Sequence, residues 1–244
     1  MLDIARDAWT TVVPGAKDRH GPLQPVLLAL TMVTGLVDAF SYLALGHVFV
    51  ANMTGNVVFA GFAIAGAGGF SLAASLVALA AFAGGALLGG RIAHRARAHR
   101  GQVLYQALLP QTLLVVAAYV IAQVSGSPYG GGVRYPLIVL LGLGMGLQNA
   151  AARALAVPDL TTTVLTLTIT GVAADSHLAG GPGSRIGRRA VSAGAMFLGA
   201  LLGALTALHG HPALPLLFAG LLLAAATAAA FRLTRSRSGW TGPL

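Results

Sequence analysis

The sequence predicts an all-α polytopic integral membrane protein. It has six transmembrane helices and two re-entrant or half-length segments, arranged as an inverted repeat of two halves. Three observations predict this: a composition too apolar for a water-exposed surface, a basic-residue pattern that fixes the parity of crossings, and an internal repeat with nearly constant offset.

Hydrophobic residues make up 56% of the 244, only 9% are charged, and the mean hydropathy is +0.80. Soluble domains carry about 25% charged residues, so this chain cannot cover a surface with polar groups. That excludes a soluble enzyme, a secreted disulfide scaffold and a DNA-binding domain. The net charge of +9 and the absence of cysteine fit the same class. Basic residues hold the cytoplasmic ends of helices. No aromatic residues interleave with the Arg clusters as a nucleic-acid platform requires, so no nucleic-acid partner is expected. Without thiols there are neither disulfides nor thiolate metal sites.

Six stretches are long and apolar enough to cross a bilayer: 23–45, 70–90, 103–125, 136–156, 190–209 and 213–231. Pro25, Pro136 and Pro215 fall near expected helix starts, where a missing N–H is harmless. Two further apolar stretches, 48–67 and 160–178, are rich in Gly, Thr and Asn and are broken near their starts. The division is a cytoplasmic tail (1–22), a first membrane repeat (23–125), an external loop (126–135), a second membrane repeat (136–231) and a basic cytoplasmic tail (232–244). The tail at 1–22 mixes both charge signs and reads as a tail, not a cleaved signal.

Arg91, Arg95, Arg97 and Arg100 fall in one short loop, Arg185, Arg188 and Arg189 in another, and Arg232, Arg235 and Arg237 near the C-terminus. The positive-inside rule places all of these, and both termini, in the cytoplasm. Residues 22 to 91 must then cross an even number of times, although three apolar stretches lie between. Residues 130 to 185 must cross an odd number of times, although two lie between. The segments 48–67 and 160–178 are the ones expected not to cross.

The halves align in order. Thr34–Ala39 matches Met145–Ala150 at an offset of 111, Met53-Thr54 matches Leu165-Thr166 at 112, and Gly85–Gly89 matches Gly199–Gly203 at 114. Three spans per half make the halves enter from opposite sides. Many secondary transporters share this plan and bind substrate near the midplane at discontinuous helices.

Candidate site residues follow from that plan. Asp38 lies about 20 Å into its span, counted from Pro25, and an intramembrane carboxylate is a functional candidate by default. The alternative is a structural group that locks two helices. Asn149, counted from Pro136, reaches the same depth from the other side. Gly35, Asp38 and Tyr42 share one helix face, as do Gly146, Asn149 and Arg153. Arg153 reads either as a snorkelling cation or as a partner for Asp38 or an anion. In the first broken segment, Val48-Phe49-Val50 suits an extended entry, and Thr54 is expected to cap a helix from Gly55 to Gly66. Asn52, Gly55 and Asn56 complete the element. In the second, six of the ten residues from 161 to 170 are Thr, whose hydroxyls can satisfy irregular backbone; Thr166 and Thr168 join the site. Gln148 stands beside Asn149. His47 lies at the mouth of the first broken segment, placed to gate by protonation. His209 and His211 have no third ligand nearby, so no metal is expected.

The elements Gly35-x-x-Asp38-Ala39, Asn52-x-Thr54-Gly55-Asn56, Gly146-x-Gln148-Asn149 and Thr162-Thr163-x-x-Thr166 resemble the bacterial YoaK-like family, a membrane family of unknown function. The resemblance spans roughly 23–231. It implies a six-span protein of the bacterial inner membrane and supplies no substrate. Leu167 stands where the family pattern has Gly, which implies an asymmetric site.

Two functions fit. One is a small secondary transporter or permease for an unknown small molecule or ion. The other is a non-transporting membrane partner or assembly protein that acts through small-residue helix faces (Gly85/Gly89, Gly142/Gly146, Gly199/Gly203), which would also serve a homo-oligomer. No Walker loop, HExxH or GxSxG occurs, so no enzyme is expected, and no cofactor. The lipid bilayer is the one partner that composition alone implies.

Overall fold

The computed structural model describes residues 2–15, 18–163, 165–174, 180, 186–236 and 239–244. Over these residues the chain is helical: α1 (Leu2–Val12), α2 (Leu23–Ala44), α3 (Met53–Ile64), α4 (Leu72–Arg95), α5 (Arg100–Ser125), α6 (Gly131–Leu155), α7 (Leu165–Ala174), α8 (Ile186–Leu208) and α9 (Leu214–Leu233). Six of them, α2, α4, α5, α6, α8 and α9, are long and apolar enough to span a membrane. At about 18 Å, the 12-residue α3 is too short to cross, and the described part of α7 is 10 residues. Leu76, Leu87, Leu113, Val120, Val124, Phe197 and Leu208 point outward and are exposed, as a lipid-facing surface requires.

α2 and α6 are the most enclosed helices. α2 packs along α8, and α6 along α4. Glycine lets the backbones touch. A Cβ on Gly35 would lie 2.2 Å from the Met196 carbonyl oxygen, and one on Gly146 would lie 2.2 Å from that of Phe82. Gly199 and Gly85 are as close to Met32 and Leu143. These contacts repeat at the offsets of the sequence alignment, 111 between α2 and α6 and 114 between α4 and α8. The small-residue faces are therefore occupied inside the chain, which leaves those faces unavailable to a homo-oligomer or a partner helix.

Several expectations are corrected. Pro136 lies inside α6, not at its start. The helix begins five residues earlier, where the Gly130 carbonyl accepts from Val133 and Arg134 N–H and the Arg134 guanidinium donates to the Gly46 carbonyl (3.2 Å). Asn149 is thus about 27 Å from the start of its helix, not 20 Å. Asp38 and Asn149 share a different measure: each stands six residues before the last residue of its helix. Arg91 and Arg95 belong to α4 and Arg100 to α5, so the loop there is shorter than predicted. Residues 2–12 form a helix rather than an irregular tail. α1 rests on α8 at Gly187, where a Cβ would lie 2.3 Å from the Ile4 carbonyl oxygen. Arg188 is buried, not solvated. Its guanidinium donates to Gln24 (3.0 Å), its backbone N–H to Asp7 (2.9 Å). Arg185 and Arg237 lie outside the described residues.

The ends of the first broken segment come together. After α2 the chain passes back along it without helical structure to Asn52, and α3 then rises again. His47 Nδ1 is 3.0 Å from the Gly69 carbonyl oxygen, so the exit from α2 and the entry to α4 lie at one level. Single cysteines at 47 and 68 are therefore expected to label from the same side of the membrane and one at 95 from the opposite side; labelling of all three from one side would rule out the re-entrant path.

His20 lies in the turn before α2, half-buried beside Arg100 (3.5 Å). Burial first, then the charges of Arg100, Arg188 and Arg19, hold its imidazole below the ordinary 6.5, against the opposing pull of Asp18. The folded state resists protonation more than the unfolded chain, so stability falls as pH drops through the ordinary imidazole value. The melting temperature in detergent is expected to fall from about pH 7.5 to about pH 5.5, and less steeply in His20→Gln.

Candidate functional site

The site is built on the two breaks. Asp38 is 5% exposed, and both its oxygens are occupied. Oδ1 accepts from the backbone N–H of Val50 and Ala51, each at 2.9 Å. Oδ2 accepts from the backbone N–H of Asn52 (3.2 Å) and from its side-chain amide. The donors are the last residues before α3. Non-helical backbone has no partners of its own in an apolar interior, and a charged acceptor is the strongest substitute. Asn52 is the residue preceding α3 and makes no side-chain cap bond. Thr54 is the second residue of the helix and exposed, not its cap: Asp38, from another helix, holds the backbone at that end instead.

Asn56 is fully buried and closes the hairpin. Its oxygen accepts from Phe49 N–H (3.0 Å), and its amide donates to the Phe49 carbonyl (2.6 Å). The Phe49 ring lies over Gly55, where a Cβ would come within 2.6 Å of it; this contact explains the glycine. Tyr42 stacks on Phe49 at 5.1 Å. His47 is exposed, meets Tyr42 at 5.0 Å and lines none of the cavities described below.

In the second half, Asn149 occupies the position 111 residues after Asp38. Its oxygen accepts from Thr163 Oγ1 (2.6 Å), and Thr163 stands 111 residues after Asn52. An amide has one acceptor oxygen, and its NH2 must donate; here it donates to the Met145 carbonyl of its own helix (3.0 Å). Among the described residues, the second break is therefore tied to Asn149 by one bond, where Asp38 makes four to the first. Thr162 beside it is left-handed (φ 65°), with a buried hydroxyl that has no partner among the described residues. The Thr168 side chain lies outside the described residues.

Three cavities run through these elements. One of 340 Å³ lies between α2 and α8 and is lined by Asp38, Tyr42, Asn52 and Met196 among others. One of 790 Å³ lies between α6 and α4 and is lined by Phe82, Asn149, Arg153 and Thr163 among others. Between them a cavity of 350 Å³ is bounded by Asn52, Thr54, Asn149, Thr163 and Thr166. Asn52 is common to the first and the central cavity, and Phe82, Asn149 and Thr163 to the central and the largest. Of the candidates from sequence, Asp38, Asn52, Thr54, Asn149, Thr166, Tyr42 and Arg153 line this series. Arg153 is exposed in the largest cavity and makes no ion pair among the described residues. The alternative in which Arg153 pairs with Asp38 is not realised among the described residues, where backbone N–H groups hold the carboxylate.

Gln148 belongs elsewhere. It is fully buried, accepts from Gln111 of α5 (2.7 Å) and donates to the Leu30 carbonyl (3.2 Å) and Thr34 (3.0 Å) of α2. It joins three helices and lines no cavity of the series. Thr163 and Phe82 were not foreseen as site residues. The repeat offset carries a signal for Thr163, since it places this residue opposite Asn52; Phe82 has no comparable signal.

The family described as "Protein of unknown function (DUF1275)" matches residues 26–229. The chain belongs to that family. It is 33% identical over 151 residues to the UPF0700 transmembrane protein YoaK of Bacillus subtilis (strain 168). That match covers 62% of this chain and 65% of the relative, so the chain spans just under two thirds of the relative's length. No solved structure matches. The family, the transmembrane relative and the six apolar helices together make this a multi-pass membrane protein of a YoaK-like family.

Asp38→Asn keeps one acceptor oxygen but turns an NH2 toward N–H donors. A hydrogen bond to a charged group contributes about 1.5–3 kcal/mol, so this variant is expected to lose on the order of 2 kcal/mol, seen as a lower melting temperature in detergent. Asn149→Ala, which removes one neutral bond of the equivalent tie, is expected to lower it less.

Proposed function

We propose that the protein is a small permease or secondary transporter, not an enzyme, built as an inverted repeat, with its substrate site in the central cavity. One observation carries the reading: three cavities joined through shared residues run between the two broken segments, and the outer two are equivalent. Asp38, Ala39, Tyr42 and Asn52 line the first, and Asn149, Ala150, Arg153 and Thr163 line the largest, each 111 residues further on. The paired glycine contacts support the same two-fold relation. Inverted repeats with unwound segments near the midplane are a transporter plan.

In this reading α2 runs outward and α6 inward. Both termini are cytoplasmic, in the bacterial inner membrane, as the Arg clusters suggest. The first cavity then opens toward the outside and the largest toward the cytoplasm. Asp38 holds the first break in shape, and its charge is not offered to a substrate. Asn52, Thr54, Asn149, Thr163 and Thr166 form the wall that a solute meets.

The chain has no cysteine, so a single introduced thiol reports water access without background. Cysteines at 54, 163 and 166 are expected to react with a small charged thiol reagent in membrane vesicles, and one at buried Leu27 is not. Silence at all three cavity positions would exclude an aqueous path and overturn the permease reading.

A further inference from the structure

The cavities differ from their walls in how much charge they leave available. Two charged side chains, Asp38 and Arg153, occur among the described lining residues. The Asp38 oxygens receive four N–H bonds, so no lone pair is left facing a cation at short range. Arg153 is exposed, and no carboxylate neutralises it among the described residues; Asp159, six residues on, is taken by Arg189 at 2.8 Å. Among the described residues, the path therefore contains one unopposed positive charge and no available negative one.

The central cavity adds donors. Thr54 is the second residue of α3 and Thr166 the second described residue of α7. The two stand at equivalent positions of the repeat, both are exposed, and both line the 350 Å³ cavity. Neither hydroxyl is engaged by another described residue, whereas the Asn52 amide is given to Asp38, the Asn149 amide to Met145 and the Thr163 hydroxyl to Asn149. A hydroxyl donates readily to an anion and can also accept, so by itself it does not choose a charge sign. Arg153 makes the choice: a guanidinium in a confined, partly apolar cavity attracts anions and repels cations more strongly than it would in open water.

We propose, on the permease reading above, that the substrate class is a small monovalent anion, held at the centre by Thr54 and Thr166 and drawn toward the cytoplasmic cavity by Arg153. A single uncompensated cation matches a single negative charge. A cation or a zwitterion with an exposed ammonium would face Arg153 with no acidic partner available among the described residues.

The test uses purified full-length protein in liposomes, with swelling followed by light scattering. Potassium chloride, nitrate and lactate with valinomycin make anion entry limiting. Sodium and choline thiocyanate, whose anion crosses lipid unaided, make cation entry limiting. Glycerol and urea test neutral solutes. The expected result is protein-dependent swelling in the anion arm alone, about tenfold slower in Arg153→Gln, the effect of one lost charged contact. Arg153→Lys is expected to keep part of the rate, and the double variant Thr54→Val/Thr166→Val to lose it with unchanged melting temperature. Swelling confined to the cation or neutral arm would overturn the anion class and leave the permease reading standing. Anion flux undiminished in Arg153→Gln would also overturn the assignment. No protein-dependent flux in any arm would overturn both.

Discussion

The structure depends on one requirement: irregular backbone in an apolar interior must have its polar groups satisfied. The chain meets it with a carboxylate. Asp38 gathers the N–H groups of Val50, Ala51 and Asn52, and Asn56 takes both groups of Phe49. With those bonds made, a short helix can begin deep inside the protein and return to the level it left. A deep Asp then needs no catalytic or coupling role to explain its burial. Its negative charge is balanced by backbone dipoles, and the hairpin is the product.

The second requirement is proximity. Two helix pairs, α2 with α8 and α4 with α6, approach until backbone meets backbone at Gly35, Gly199, Gly85 and Gly146. Without a hydrophobic driving force between helices in lipid, such close packing supplies much of the cohesion. It also fixes where space is left. Alanine and glycine keep the helices together, and the cavities open where the breaks replace a helix wall.

Much of this was legible in the sequence, and particular residues show why. Long apolar stretches identify the spans because lipid imposes their length. Glycines matched at offsets of 111 to 114 point to equivalent contacts because close approach tolerates no side chain. The side-chain bonds were not legible. Nothing local to Asp38 announces that its partners are main-chain groups twelve to fourteen residues away. Gln148 and Asn149 are neighbours in sequence, yet a helix turns successive residues about 100° apart, so one joins a buried network and the other lines a cavity. Thr54 had the composition of a cap, but it lies inside α3, and Asp38, from another helix, holds the three residues before that helix. Pro136 looked like a helix start, but the turn pinned by Arg134 began the helix earlier.

The pairing of helices also determines what can move. Each closely packed pair takes one helix from either half of the chain, so the halves are interlocked and cannot rock as separate bodies. If the protein is a permease as proposed, the exchanged pairs, α2 with α8 and α4 with α6, are the natural units of motion. Contact between α2 and α6 is sparse, and Gln148, bound to Thr34 and Leu30, bridges them. On the permease reading that buried amide stands where the two pairs would pivot, and a tilt between them would widen one terminal cavity as it narrowed the other.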